Sequence, residues 1–216
     1  GLIHLPMMRE AVLPPDCLAH VRAMLARGTP RVVLGLVGAP GAGKSTLATA
    51  LQAAFADVAV VLPMDGYHLA NSELQRLGRA GRKGAPDTFD AAGYLALLQR
   101  LRQAPMATVY APEFRREIEE AIAGAIAIEP HHRLVITEGN YLLVDDGPWA
   151  GVLPLLDEAW FVDVDDGLRN ARLASRHEAF GRSPDEARQW VAQTDEPNAR
   201  LVASTRGRAH RVFRWG

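Results

Sequence analysis

The chain is poor in several things, and each shortage narrows what it can be. Its 216 residues hold one cysteine, Cys17. That excludes an internal disulfide and a cysteine-rich zinc site, and it makes a reducing cytoplasm the expected compartment. No apolar run approaches the roughly 20 residues of a membrane-spanning helix, and no signal peptide is recognisable, so no membrane partner is expected. Neither sign of charge is in excess. Lys and Arg number 24 against 25 Asp and Glu, so no basic field draws in nucleic acid. The adjacent His131 and His132 precede a strand and lack the i, i+4 helical spacing of a zinc pair, and no zinc is expected.

What is present is an ordinary globular composition, 48% apolar and 23% charged, with no internal repeat and no linker. One domain over residues 1–216 is the simplest reading. Residues 16–27 suit a leading helix, with Asp16 as N-cap and Gly28 and Pro30 as stops. The apolar run Val32 to Val37 then leads into Gly38-Ala39-Pro40-Gly41-Ala42-Gly43-Lys44-Ser45-Thr46. This is the pattern G-x-x-x-x-G-K-[ST] in its strand-then-helix context, which identifies a phosphate-binding P-loop. Its glycines let successive backbone N–H groups point at phosphate oxygens, and the helix from Lys44 to about Phe55 adds its positive end. Lys44 is expected to reach the β- and γ-phosphates, and the Ser45 hydroxyl to ligate Mg²⁺.

Further along, Val58–Leu62 reads as a short buried strand, Asp90–Gln103 as a helix, and Arg133–Thr137 and Trp160–Val164 as strands. Residues 107–110 and 125–128 are weaker strand candidates. Helices are expected over 167–178, 184–193 and about 198–205, with Arg211–Trp215 as a closing edge strand. Apolar strands alternating with helices make this an α/β chain with a parallel, two-sided sheet. The polar, glycine-spotted stretch 69–88 is too long for an idle connector.

Two acids stand at strand ends. Asp65 follows Val58–Leu62, at the sheet edge that carries the P-loop, where it is placed to accept the proton of an attacking hydroxyl; the alternative is a strand-end Asp capping its turn with Gly66. Glu138 closes Leu134-Val135-Ile136-Thr137, an apolar strand ending in an acid that holds Mg²⁺ directly or through water.

The motifs Met64-Asp65-Gly66-Tyr67-His68, Arg82-Lys83-Gly84-Ala85-Pro86-Asp87-Thr88-Phe89-Asp90 and Glu138-Gly139-Asn140-Tyr141 occur in this order. Together they resemble the phosphoribulokinase, uridine kinase and bacterial pantothenate kinase family, and most closely its nucleoside-kinase-like members labelled fructose transport system kinase. The resemblance spans about Val32 to Val212. It implies a three-layer α/β/α P-loop fold with a mainly parallel five-stranded core sheet and a helical lid. It also implies ATP with Mg²⁺ as cofactors and transfer of phosphate to a hydroxyl of a small metabolite, in a monomer or homodimer.

Carried over by position, Asp65 matches the family's base and Glu138 its second acid. Phe114 and Arg116 fall in the segment that lines the acceptor pocket. Lys83, Tyr67, His68, Asn140, Tyr141 and Asn198 are further implied acceptor contacts. Arg172 and Arg176, one turn apart, lie on the helix leading into the lid, where an arginine steadies the transferring phosphoryl group. Residues 205–209, with Arg206, correspond to a wall of the adenine pocket.

The chain departs from the family at three points. Pantothenate kinases carry Tyr and His where Phe114 and Arg116 stand, and the nucleoside-type Asp falls on Gly84. Arg116 suits an anionic or sugar-phosphate acceptor, or else pairs with Glu120 at i+4 on the surface. Two other functional classes have sequence signatures of their own. A regulatory nucleotide switch of the GTPase kind needs a guanine-reading Asn-Lys-x-Asp segment, and a transport ATPase a downstream Ser-Gly-Gly; neither occurs. Trp149, Trp190 and Trp215 are candidates for packing surfaces between copies.

Overall fold

The computed structural model describes residues 13–214. Five strands form one sheet: β1 (Val32–Val37), β2 (Ala59–Pro63), β5 (Leu134–Gly139), β6 (Glu158–Asp163) and β7 (Arg211–Arg214), in the order β2-β5-β1-β6-β7. Every neighbouring pair is parallel. β1 and β5 are buried along their whole length, as the apolar residues of β1 and of Leu134–Ile136 demand of strands covered on both faces, with Thr137 and Glu138 buried beyond them.

Side chains alternate between two cores. Leu34, Leu36 and Ile136 pack with Val21 of α1 (Cys17–Leu25) and with Leu47 and Leu51 of α2 (Lys44–Ala54). Val33, Val135 and Leu62 face the other way, onto Tyr94 and Leu98 of α4 (Ala91–Gln103). This is the three-layer sandwich that the motifs imply.

Local chemistry sets the helix ends. The Asp90 side chain accepts from Gly93 N at 2.9 Å and caps α4. Asp90→Ala is expected to cost about 1 kcal/mol, read as a lower urea midpoint with an unchanged slope. Asp16 differs from expectation. It precedes α1 at φ 70° and its side chain makes no capping hydrogen bond, because the left-handed backbone turns it away. Gly28, at φ +74°, does terminate that segment.

Three departures from the sequence reading matter for the site. The weak strand candidates are longer than expected, β3 (Val109–Arg115) and β4 (Glu120–Ile128), and they form a separate antiparallel hairpin outside the main sheet. The 69–88 stretch contains a short helix, α3 (Asn71–Arg76), and two 3₁₀ turns. The second polar helix splits into α6 (Pro184–Trp190) and a π-helical turn, Val191–Asp195, between α5 (Asp166–Ala179) and α7 (Glu196–Ser204). Trp149 is a core residue and no packing surface for a second copy, while Trp215 lies outside the described residues.

Candidate functional site

The P-loop leaves β1 at Val37 and enters α2 at Lys44. Gly41 and Gly43 sit at φ +80° and +86°, a region closed to most side chains. A Cβ on Gly41 would also lie 2.8 Å from the Arg169 carbonyl. Gly43 caps α2 without any side-chain bond, so the first N–H groups of the helix remain available to an anion. Lys44 is buried, and its ammonium donates to the Ala39 carbonyl at 3.2 Å. Burial holds its pKa below the ordinary lysine range, against the upward pull of Glu138 and Asp65.

Glu138 ends β5 and is buried, accepting from the Ser45 hydroxyl at 3.2 Å. Burial first, and the Asp65 charge second, raise its pKa. A buried carboxylate on the serine that follows the P-loop lysine has the chemistry of a divalent-cation site, so these residues fit Mg²⁺.

The raised Glu138 pKa has a stability consequence with a definite sign. Above the ordinary value of 4.5 the unfolded chain has lost this proton while the folded one retains it, so the group's contribution to stability falls as pH rises from there. Glu138→Gln is therefore expected to raise the melting temperature of the ligand-free protein at pH 7 to 8, to leave it near wild type at pH 4, and to abolish the further rise caused by Mg²⁺ with nucleotide. Thermal melts across pH check all three.

Asp65 sits in a 3₁₀ turn, Met64–Tyr67, directly after β2. A Cβ on Gly66 would come within 2.3 Å of the Pro112 carbonyl, so glycine is what lets the β3–β4 hairpin rest on this turn. His68 Nδ1 lies 2.7 Å from the Asp65 carbonyl. A carbonyl only accepts, so Nδ1 carries the proton. The ring lies between Phe114, at 4.3 Å, and Phe89, at 4.2 Å, and burial lowers its pKa, which keeps it neutral.

Two cavities meet here. One, of about 150 Å³, is walled by the P-loop residues Gly41 and Gly43 to Thr46 together with Glu138. The other, of about 500 Å³, lies between the 3₁₀ turn, the 71–84 region, the hairpin and the α5–α7 region. Pro40, Asp65, Arg116, Asn140 and Arg176 line both.

The remaining expected site residues divide. His68, Lys83, Phe114 and Asn198 line the larger cavity. Lys83 is held by Asn71 Oδ1 and the Glu119 carbonyl, each at 2.6 Å. Arg116 makes no pair with Glu120, whose carboxylate instead accepts from Asn71 N at 2.6 Å.

Four expected residues stand elsewhere. Tyr67 lines neither cavity; it packs against Tyr94 at 5.3 Å, and burial pushes its phenol up to about 12. Tyr141 is fully buried and its hydroxyl donates to the Gly84 carbonyl at 2.5 Å, which ties β5 to the 71–84 region. Arg172 donates to the Gly41 carbonyl at 3.2 Å and braces the P-loop from behind, outside both cavities. Arg206 pairs with Asp163 at 3.4 Å and also lies outside them.

Sequence reasoning missed a cluster on the α5–α7 side of the larger cavity. His177 Nδ1 accepts from Arg182, so its Nε2 carries the proton and donates to Asp195 Oδ2 at 2.9 Å. Arg182 also lies 4.1 Å over the Trp190 ring. The one advance signal was Trp190, a large apolar side chain in a polar helix. Buried Arg169, which donates to the Pro40 carbonyl and pairs with Asp166, was missed as well. Far from the site, the structure gathers His131, His132 and Glu129 into an exposed cluster with ligand atoms within 4.8 Å of one another. There His132 Nδ1 already accepts from Glu129 N. No helix among the described residues is long and apolar enough to cross a membrane.

The chain is similar to several known proteins. "Putative uridine kinase C227.14" of Schizosaccharomyces pombe is 33% identical over 198 residues, covering 87% of this chain and 84% of that protein. The ATP-dependent kinase-like protein notR' of Aspergillus versicolor is 39% identical over 152 residues, 66% of this chain and 88% of its own. A crystal structure described as a "putative fructose transport system kinase" from Silicibacter sp. TM1040 superposes with a TM-score of 0.81 at 37% identity, covering 90% of this chain and 97% of that one. No protein-family model matches the chain.

Proposed function

We propose that this chain, which belongs to the P-loop kinase family, works as one catalytic unit that transfers the γ-phosphate of ATP to a hydroxyl of a small metabolite bound in the larger cavity. The observation that carries this reading is the junction of the two cavities. Asp65 and Asn140 face both the P-loop space and the 500 Å³ chamber, with the Ser45–Glu138 pair on the donor side.

In this reading the P-loop amides, Lys44 and the α2 N-terminus hold the donor phosphates. Ser45 and Glu138 hold Mg²⁺, which when bound neutralises phosphate charge. Asp65 orients the acceptor hydroxyl and takes its proton as the new oxygen–phosphorus bond forms. The bond from phosphorus to the β,γ-bridging oxygen breaks, and ADP leaves with that electron pair. Arg176, on the opposite wall, supplies positive charge to the group in transfer. Most of the rate enhancement comes from positioning and fixed charge.

The chamber, about 500 Å³, lies within the ~300–1,000 Å³ typical of small-molecule pockets. A coupled ADP-release screen over sugars, sugar phosphates, nucleosides and pantothenate-like acids tests the proposal. ADP release that requires one acceptor class supports it. Slow release indifferent to every acceptor, with a response to GTP alone in melting shifts, would replace it with a nucleotide switch.

A further inference from the structure

Two arginines stand where the cavities meet, and they reach it from opposite sides. Arg116 follows β3 in the hairpin turn, while Arg176 projects from α5. Each lines both cavities. Among the described residues neither is hydrogen-bonded or ion-paired through its guanidinium, whereas the neighbouring cations are engaged. Lys83 is held by Asn71 and Glu119, Arg182 by His177 and Trp190, Arg172 by the Gly41 carbonyl and Arg169 by Pro40 and Asp166. Arg176 is exposed as a residue, yet loss of water around it, and next the nearby Arg116 charge, hold its pKa below the ordinary arginine range.

Two unpaired guanidinium groups that line the same space repel each other, and an anion placed between them removes that cost. Lys44, Arg116 and Arg176 bring three positive charges to the junction against the carboxylates of Asp65 and Glu138. The junction is therefore left with positive charge that an incoming anion compensates.

Its position says which anion. A cation reserved for a charged tail on the acceptor would line the outer chamber alone, as Lys83 and Arg182 do, and both of those are already paired. Arg116 also lines the P-loop space. A phosphoryl group in in-line transfer spreads its charge over three equatorial oxygens, which can be met from the hairpin side and the α5 side together.

We infer that Arg116 and Arg176 form a two-armed guanidinium seat for the phosphoryl group as it passes from ADP to the acceptor, with the hairpin supplying the second arm. The inference rests on the kinase reading above and adds a catalytic role for Arg116. The bond changes and the proton's destination, Asp65, are those already stated. The seat adds charge stabilisation and no further reactant.

The test uses Mg²⁺, ADP and fluoroaluminate, which mimics the phosphoryl group in flight and needs no identified acceptor. Calorimetry of the whole chain is expected to show fluoroaluminate tightening ADP binding to the wild type. Arg116→Gln and Arg176→Gln should each lose at least about tenfold of that gain, with affinity for ADP alone kept within about twofold of wild type. Arg116→Lys, which keeps a charge but not the fork, should fall between.

Three results would overturn the seat: a full fluoroaluminate gain in Arg116→Gln, an equal loss with ADP alone, or no gain in the wild type. Failure of the wild type to bind Mg²⁺-ADP at all would instead sink the kinase reading itself.

Discussion

Asp65→Asn will leave binding of MgATP intact and lower turnover by roughly 10²–10⁴-fold. The size of the effect follows from how little else in the junction can take a proton. Glu138 is engaged by Ser45 and is assigned to Mg²⁺ in the same reading. His68 lines the larger cavity and not the P-loop space, and burial lowers its pKa, so it is the weaker candidate. The substitution is close to isosteric, and the turn that presents residue 65 is fixed by backbone features. The His68 amide and ring both bond the Asp65 carbonyl, and Gly66 sits beneath Pro112. Loss of rate is then chemical and not a displacement of the group. Melting shifts with MgATP, together with steady-state turnover on an acceptor from the ADP-release screen, separate the two. Wild-type turnover in the variant would remove Asp65 from the role of base.

Lys44→Ala will remove most of the melting-temperature rise caused by MgATP and cut turnover by at least about 10²–10³-fold, the scale for losing one preorganised charge partner of a transition state. Lys44 is the P-loop cation, and among the described residues its only hydrogen-bond acceptor is a carbonyl of the same loop, so its charge is held in reserve for the phosphates. Lys44→Arg is not expected to rescue the loss. The slot is buried, and a planar guanidinium cannot follow the path of the ammonium. An unchanged response to MgATP in Lys44→Ala would contradict the donor half of the proposed site.

The donor half was legible in the sequence because its parts are local. Gly38 to Thr46 is contiguous, and β1 and β5 announce themselves as unbroken apolar runs ending at the P-loop and at Glu138. The acceptor half was harder to read. β4 runs Glu-Ala-Ile-Ala-Gly-Ala-Ile-Ala-Ile, with small residues on both faces, so its half-exposed hairpin showed neither clean alternation nor a fully buried run.

Neighbours in sequence also part company in space. Arg172 and Arg176 share a helix face by spacing, yet the P-loop carbonyl at Gly41 captures the first and leaves the second at the cavity. Tyr67 and Tyr141 stand beside the motif residues, but one packs on Tyr94 and the other reaches Gly84, as large apolar rings next to a core do. The His177–Asp195 bond joins residues 18 apart through a π-helical turn, and no local pattern encodes such a pairing.

The strand order has a consequence for how such a protein changes over generations. The chain leaves the sheet at Pro63 and re-enters it at Leu134, and β5 lies between β2 and β1. Everything between those points that walls the larger cavity, from the 3₁₀ turn through α3 to the hairpin, hangs from the sheet as one insertion. It can be lengthened, shortened or exchanged without re-registering any parallel strand or touching the loop that grips phosphate. Provided Asp65 and Arg116 are kept, duplicated copies of the gene are therefore free to drift toward new metabolites while inheriting the same grip on phosphate. A single ancestral fold of this kind can seed many specificities.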